Sequence, residues 1–212
     1  MTVATDREHP LALEILPKPV TFDEFIVWYP ENSEFCYELR RGVIIEMPKP
    51  RGKHSLIGGG AAKKLNYAID AAGLPYLIPI ECVTKIADDT VYQPDIIVLD
   101  SAALATEQRW ESASTLEQAA AIKLIIEVVS SNWQDDYEVK MVAYEALGIP
   151  EYWIIDYAGL GGIRHIGKPK QPTLTIATLV DGEYETQMFR GDDRVVSLTF
   201  PDLNFTAAQI MQ

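Results

Sequence analysis

The chain of 212 residues predicts an α/β domain, and three observations carry that reading. First, residues 122–129 (IKLIIEVV) and 152–156 (YWIID) are apolar almost throughout, as strands buried on both faces are. Second, residues 135–147 lie between them with helical spacing, capped by Gly148 and stopped by Pro150. Third, after Gly161-Gly162 the pattern changes to short runs with hairpin spacing.

The elements follow in chain order. Residues 1–20 hold three prolines and no periodicity, and read as a tail. Thr21 and Glu24 form a capping box that opens a short helix through about Tyr29. Residues 36–47 read as a hairpin, YELR and VIIEM turning at Arg41-Gly42. Residues 48–52 break the chain, and a helix runs over 54–72 to a left-handed cap at Gly73. One strand lies within 76–86 and a second over 95–100, where IIVL is flanked by aspartates. Residues 101–120 read as a loop or short helix. The late runs IRHI, LTIATLV, YETQMF and VVSLTF read as hairpin strands, and FTAAQIMQ as a terminal helix. Without repeats or a clear linker, residues 21–212 are expected to form a single domain.

Composition narrows the function classes. The net charge of −13 argues against bulk attraction to nucleic acid or to an anionic membrane. Yet seven basic residues fall between Arg40 and Lys64, with Glu46 the single acid among them. That is a local cationic face or a merely solvated one. Cys36 and Cys82 cannot build a disulfide framework, and the three histidines are scattered. No signal peptide and no run of about 18 apolar residues is present, so a soluble cytoplasmic protein with no membrane partner is expected.

The chemistry concentrates in acids set among apolar residues. Asp95 opens the strand of IIVL, and Glu127 sits within IIEVV. A carboxylate on a strand buried on both faces is costly unless paired or metal-bound. Two on central strands invite a hard divalent ion, with a backbone carbonyl and waters completing the shell. Asp136, Lys140 and Tyr144 share one helix face at i, i+4 and i+8. Lys140 then either turns toward the carboxylates and activates a water, or forms a structural pair with Glu127 or Asp136. Glu38 and Glu46 are candidates for an added acid or for solvent-facing strand positions. Arg51, Lys53 and His54 open the long helix and are candidates for nucleic-acid phosphates or for solvent. Gly58-Gly59-Gly60 before Lys63-Lys64 lacks phosphate-loop spacing and reads as close helix packing.

The order of these residues resembles the PD-(D/E)XK nuclease superfamily, and within it the Uma-type restriction endonucleases abundant in cyanobacteria. The resemblance is carried by Tyr37-Glu38-Leu39, Gly42 and Glu46, then Pro94-Asp95 with its apolar strand. Glu127-Val128-Val129-Ser130, Asp136, Lys140 and Tyr144 follow, and then the specific run from Gly148 to Asp156 through Pro150-Glu151-Tyr152-Trp153. It implies a restriction-endonuclease-like fold with a four-stranded mixed core sheet flanked by helices. It also implies Mg²⁺ (or Mn²⁺ in its place) on Asp95, Glu127 and the Val128 carbonyl, DNA as substrate, and a homodimer. Val129 stands where the superfamily has its lysine, so the resemblance assigns that role to Lys140. A nuclease-fold binding module that no longer cuts is the alternative. A metal-free hydrolase using two carboxyls is a third reading, to which Lys140 is surplus.

Overall fold

The computed structural model describes residues 18–30 and 34–212, so most of the expected tail, residues 1–17, lies outside the described residues. Helix α1 (Phe22–Trp28) starts at the Thr21 capping box, both halves of which form. Strands β1 (Cys36–Arg40) and β2 (Val43–Met47) pair as an antiparallel hairpin. Its turn residues Arg41 and Gly42 are both left-handed, with φ of 51° and 76°, as a two-residue hairpin turn requires.

Helix α2 (Gly52–Ala72) begins two residues before the expected start and ends in the left-handed Gly73. Residues 76–86 were expected to hold one strand and instead hold two short pieces, β3 (Tyr76–Leu77) and the start of β4 (Val83–Ala87). Pro79 separates them, and they join different sheets. Strands β5 (Thr90–Tyr92) and β6 (Ile96–Asp100) follow. The stretch expected as loop or short helix contains α3 (Ser101–Leu104), α4 (Trp110–Ala113) and β7 (Thr115–Leu116). Strand β8 (Ile122–Val128) then crosses the core.

The next helix is not regular. Residues Asp135–Lys140 form a π-helical turn that leads into α5 (Met141–Leu147), capped by Gly148 at φ 80°. Strand β9 (Glu151–Asp156) follows. Of the four C-terminal runs expected as strands, two form one hairpin, β10 (Thr173–Val180) and β11 (Glu183–Phe189). The IRHI run is instead the helical turn α6 (Ile163–Ile166), and residues 195–200 form no strand. Gly162 opens α6 beneath the Trp133 ring, and the spacing of IRHI also suits a helical turn with Ile166 inside. The chain closes in α7 (Ala207–Ile210).

Two mixed sheets result. One runs β2-β1-β5-β4-β7 and the other β11-β10-β9-β8-β6-β3. The second extends to six strands where a four-stranded core is implied by resemblance. In it β8 and β9 are parallel, while β6 and β10 flank them antiparallel. Both faces are covered. Ile57, Ala61, Leu65 and Ile69 of α2 pack with Leu124, Ile126 and Val128 on one face. Tyr144 packs with Ile125, Val129 and Ile154 on the other. Burial on two faces is why β8 and β9 are apolar at nearly every position. No helix among the described residues is long and apolar enough to cross a membrane.

Candidate active site

Strand alternation decides where the acids go. Along β8, Leu124, Ile126 and Val128 point to α2, so Glu127 points the other way, between Ile125 and Val129. There it lies beneath α5 and is 3% exposed. The β6–β8 register pairs Ile96 with Ile126, which sets Asp95 beside the 127–128 peptide. Asp95 Oδ2 accepts the Val128 N–H at 2.7 Å. Both acids were expected to be buried; only Glu127 is. Asp95 lies one residue before β6, where its side chain stays partly open to solvent.

Lys140 reaches Glu127. Its Nζ donates to Glu127 Oε1 at 2.8 Å and stands 3.3 Å from Glu38 Oε1. The ammonium is not in solvent: Lys140 is 5% exposed. Tyr144 Oη donates to the same Glu127 oxygen at 2.9 Å. The helix face of Lys140 and Tyr144 thus turns inward, and Tyr144 holds the glutamate rather than the lysine. The π-helical turn that supplies Asp136 and Lys140 is of a kind found often at functional sites.

Glu38 is fully buried on β1, with Oε1 accepting the Gln93 N–H at 3.2 Å and Oε2 gripped by Arg40 at 2.8–2.9 Å. Arg40 also donates to Asp135 Oδ2 at 2.6 Å. Arg40 and Asp135 are thereby part of the cluster, although spacing singled out neither. Their one sequence signal is that Glu38 and Arg40, two apart on a strand, share a face. Glu46 stands apart, exposed on β2 and paired in register with Tyr37.

His54 meets the site from α2. Its Nε2 lies 2.8 Å from the Val128 carbonyl oxygen and 3.4 Å from Asp95 Oδ2. Arg51 and Lys53 are exposed beside it, with Lys53 Nζ 5.0 Å over the Tyr157 ring. The glycines of α2 act in packing. A Cβ on Gly60 would overlap the Gln212 carbonyl oxygen, whereas one on Gly59 meets nothing.

The electrostatics are those of an acid-rich cluster. Five acids (Glu38, Asp95, Glu127, Asp135, Asp136) surround the fixed cations Arg40 and Lys140. Burial pushes the Glu127 carboxyl up to about 8, a rise that Lys140 offsets and Asp95 adds to. Burial likewise pushes Asp136 up to about 7, with Asp95 and Asp135 adding to the rise. Lys140 is held above the ordinary lysine value because Glu127 and Glu38 outweigh its desolvation. The hydrogen bond to Asp95 raises the His54 imidazole. Among the described residues no group of three or more His, Cys, Asp or Glu is placed to hold a metal ion; Glu127, Asp95 and the Val128 carbonyl offer hard oxygen donors of the kind Mg²⁺ takes.

Comparison with known proteins bears on the fold and the family. A comparison with curated proteins finds no match. Among solved structures, a protein titled a putative nuclease belonging to DUF820, from Anabaena variabilis, superposes with a TM-score of 0.64. The two chains are 24% identical, and the match covers 91% of this chain and 98% of that one, which makes the folds the same. The profile of the Uma2 family, described as "Putative restriction endonuclease", matches residues 22–208. With nearly the whole described chain inside that match, this protein belongs to the Uma2 family of restriction-endonuclease-like proteins.

Proposed function

We propose that this protein is an Mg²⁺-dependent endonuclease that hydrolyses phosphodiester bonds in DNA. The carrying observation is the Lys140 ammonium at 2.8 Å from Glu127, on the strand whose next peptide is bonded to Asp95. Asp95, Glu127 and the Val128 carbonyl would hold the ion. When bound, Mg²⁺ (or Mn²⁺) supplies Lewis-acid polarisation of the phosphoryl oxygen and a more acidic water.

The chain's own groups do the rest. Lys140 sets a donor beside Glu127, where it orients the attacking water and stabilises negative charge growing at phosphorus. Water's oxygen bonds to phosphorus, one phosphorus–oxygen bond to a sugar breaks, and the departing oxygen takes a proton. Tyr144 fixes the Glu127 carboxylate. Glu38, backed by Arg40, holds Lys140 from its other side. Asp95, partly exposed at the mouth of the cluster, is the acid a phosphate meets first. Arg51 and Lys53 supply positive charge along the approach. The active form is taken as a homodimer, the assembly that the family resemblance implies.

Plasmid nicking in Mg²⁺ tests this. Wild type should nick supercoiled DNA, and Asp95→Ala and Lys140→Met should each lose roughly 10²-fold or more in rate, the scale of removing one electrostatic element of an active site. Equal nicking by wild type and Asp95→Ala removes Asp95 from the mechanism. Metal binding without cleavage of any nucleic acid by wild type identifies a non-cutting module instead.

A further inference from the structure

We infer that Asp135 stands, in the free protein, where a substrate phosphate binds, and that Arg40 is the phosphate-binding group it holds in reserve. On the nuclease role proposed above, which this assignment rests on, Arg40 is the cation that meets the DNA backbone beside Lys140.

Access separates the two cations of the cluster. The Lys140 side chain is 6% exposed and the Glu38 side chain 0%, so neither offers a surface to a polyanion. The Arg40 and Asp135 side chains are 28% and 22% exposed and form the wet end of the same network. One buried carboxylate joins the two ends. Glu38 Oε1 lies 3.3 Å from Lys140 Nζ, while Oε2 accepts from Arg40 Nε and Nη2 at 2.9 and 2.8 Å. A phosphate at Arg40 is therefore one carboxylate away from Lys140.

Local geometry marks the place of that phosphate. Glu38 fixes the Nε–Nη2 edge of the guanidinium from a buried strand, which leaves Nη1 to reach outward. Arg40 Nη1 and Asn132 Nδ2 each donate to Asp135 Oδ2 at 2.6 Å. Donors from distant parts of the chain thus converge on one anionic oxygen. A non-bridging phosphate oxygen accepts the same pair of hydrogen bonds. Arg40 ends β1 of one sheet, and Asp135 opens the π-helical turn that follows β8 of the other. A partly exposed ion pair of this kind contributes little to stability, so the fold loses little when phosphate replaces the carboxylate. The guanidinium has donors enough to keep Glu38 and grip a phosphate at once, a geometry that an ammonium lacks.

The experiment measures nicking by the full chain in Mg²⁺, resolved into KM and kcat, with binding of a short DNA duplex in chelator. Asp135→Asn frees the guanidinium from its charged partner and should tighten the duplex about three- to fivefold. Glu46→Gln removes an equal charge from an exposed position on the neighbouring β2 and should tighten it less than about twofold. Arg40→Lys keeps the charge but loses the fork. It should raise KM about tenfold and change kcat less than about twofold. In the Arg40→Lys background, Asp135→Asn should bring no gain beyond that of Glu46→Gln. Asp135→Asn leaves the Arg40–Glu38 pair intact, so it decides the matter even if Arg40→Lys folds poorly. If Asp135→Asn gains no more than Glu46→Gln, or Arg40→Lys lowers kcat at unchanged KM, Arg40 and Asp135 form a structural bridge. The assignment then fails while the nuclease role stands. If wild type neither binds nor nicks DNA, the nuclease role fails and the assignment with it.

Discussion

Lys140 holds two buried glutamates at once, 2.8 Å from Glu127 and 3.3 Å from Glu38. Removing one partner of a buried ion pair leaves uncompensated charge and costs about 3–5 kcal/mol. Lys140→Met should therefore lower stability by about that amount toward alkaline pH, where Glu127 is ionised. Burial pushes the Glu127 carboxyl up to about 8, so it takes up a proton in response and the deficit should shrink as pH falls below that value. Urea denaturation at pH 5.5 and 8 measures this, and an equal deficit at both values sinks the account. Tyr144→Phe is the milder probe. It deletes one hydrogen bond to a charged acceptor, worth about 1.5–3 kcal/mol, and should slow nicking without removing metal binding.

Helix α2 brings His54 to the site and seals one face of the large sheet, so its glycines are informative as a set. Gly59 faces open space, and Gly59→Ala should stabilise the chain by about 0.5–1 kcal/mol through helix propensity. At Gly60 an added Cβ would overlap the Gln212 carbonyl oxygen, so Gly60→Ala should destabilise by about 1–3 kcal/mol unless the C-terminus shifts. Opposite signs in chemical denaturation check the packing of α2 on the terminal residue. The element on the other face, the π-helical turn followed by α5, swings Lys140 and Tyr144 onto one oxygen of Glu127.

Two properties belong to the molecule as a whole. The first is pH dependence in the metal-free state. Burial raises Glu127 to about 8 and Asp136 to about 7, so above the ordinary carboxyl range the folded chain holds protons that the unfolded chain has released. Stability must then fall as pH rises. His54 has the same sign: its contribution is complete below the ordinary imidazole range and is lost as pH climbs from that range through the raised folded value. Calorimetry in a chelator should show the melting temperature dropping between pH 6 and 9, by about 2–4 °C per kcal/mol lost. Asp136→Asn should flatten that slope; a rising melting temperature contradicts the burial argument. The second property is charge. A net −13 repels DNA overall, so the proposed DNA substrate would have to be met at the local basic face at the start of α2. Replacing Arg51 and Lys53 together by alanine should reduce the slope of log affinity against log salt by about 0.9 per lost phosphate contact.

The sequence by itself determined the layers and the order of the chemistry. Short continuous apolar runs bounded by turn signals pointed to strands covered on both faces, and Gly73 and Gly148 marked where the helices before them stop. Acids within such runs marked Glu127, and local spacing put Lys140 and Tyr144 on one helix face. The late hairpins were only partly legible, because IRHI suits a helical turn as well as a strand and Gly162 under Trp133 selects the helix. Tertiary structure alone decided which groups meet. It buried Glu38 while leaving Glu46 exposed, since pleat alternation allows either face until a partner covers one. It joined Arg40 to Asp135 across 95 residues of chain and set His54 against the Val128 carbonyl across 74. Such contacts follow from how sheet and helix pack, and sequence spacing holds no trace of them.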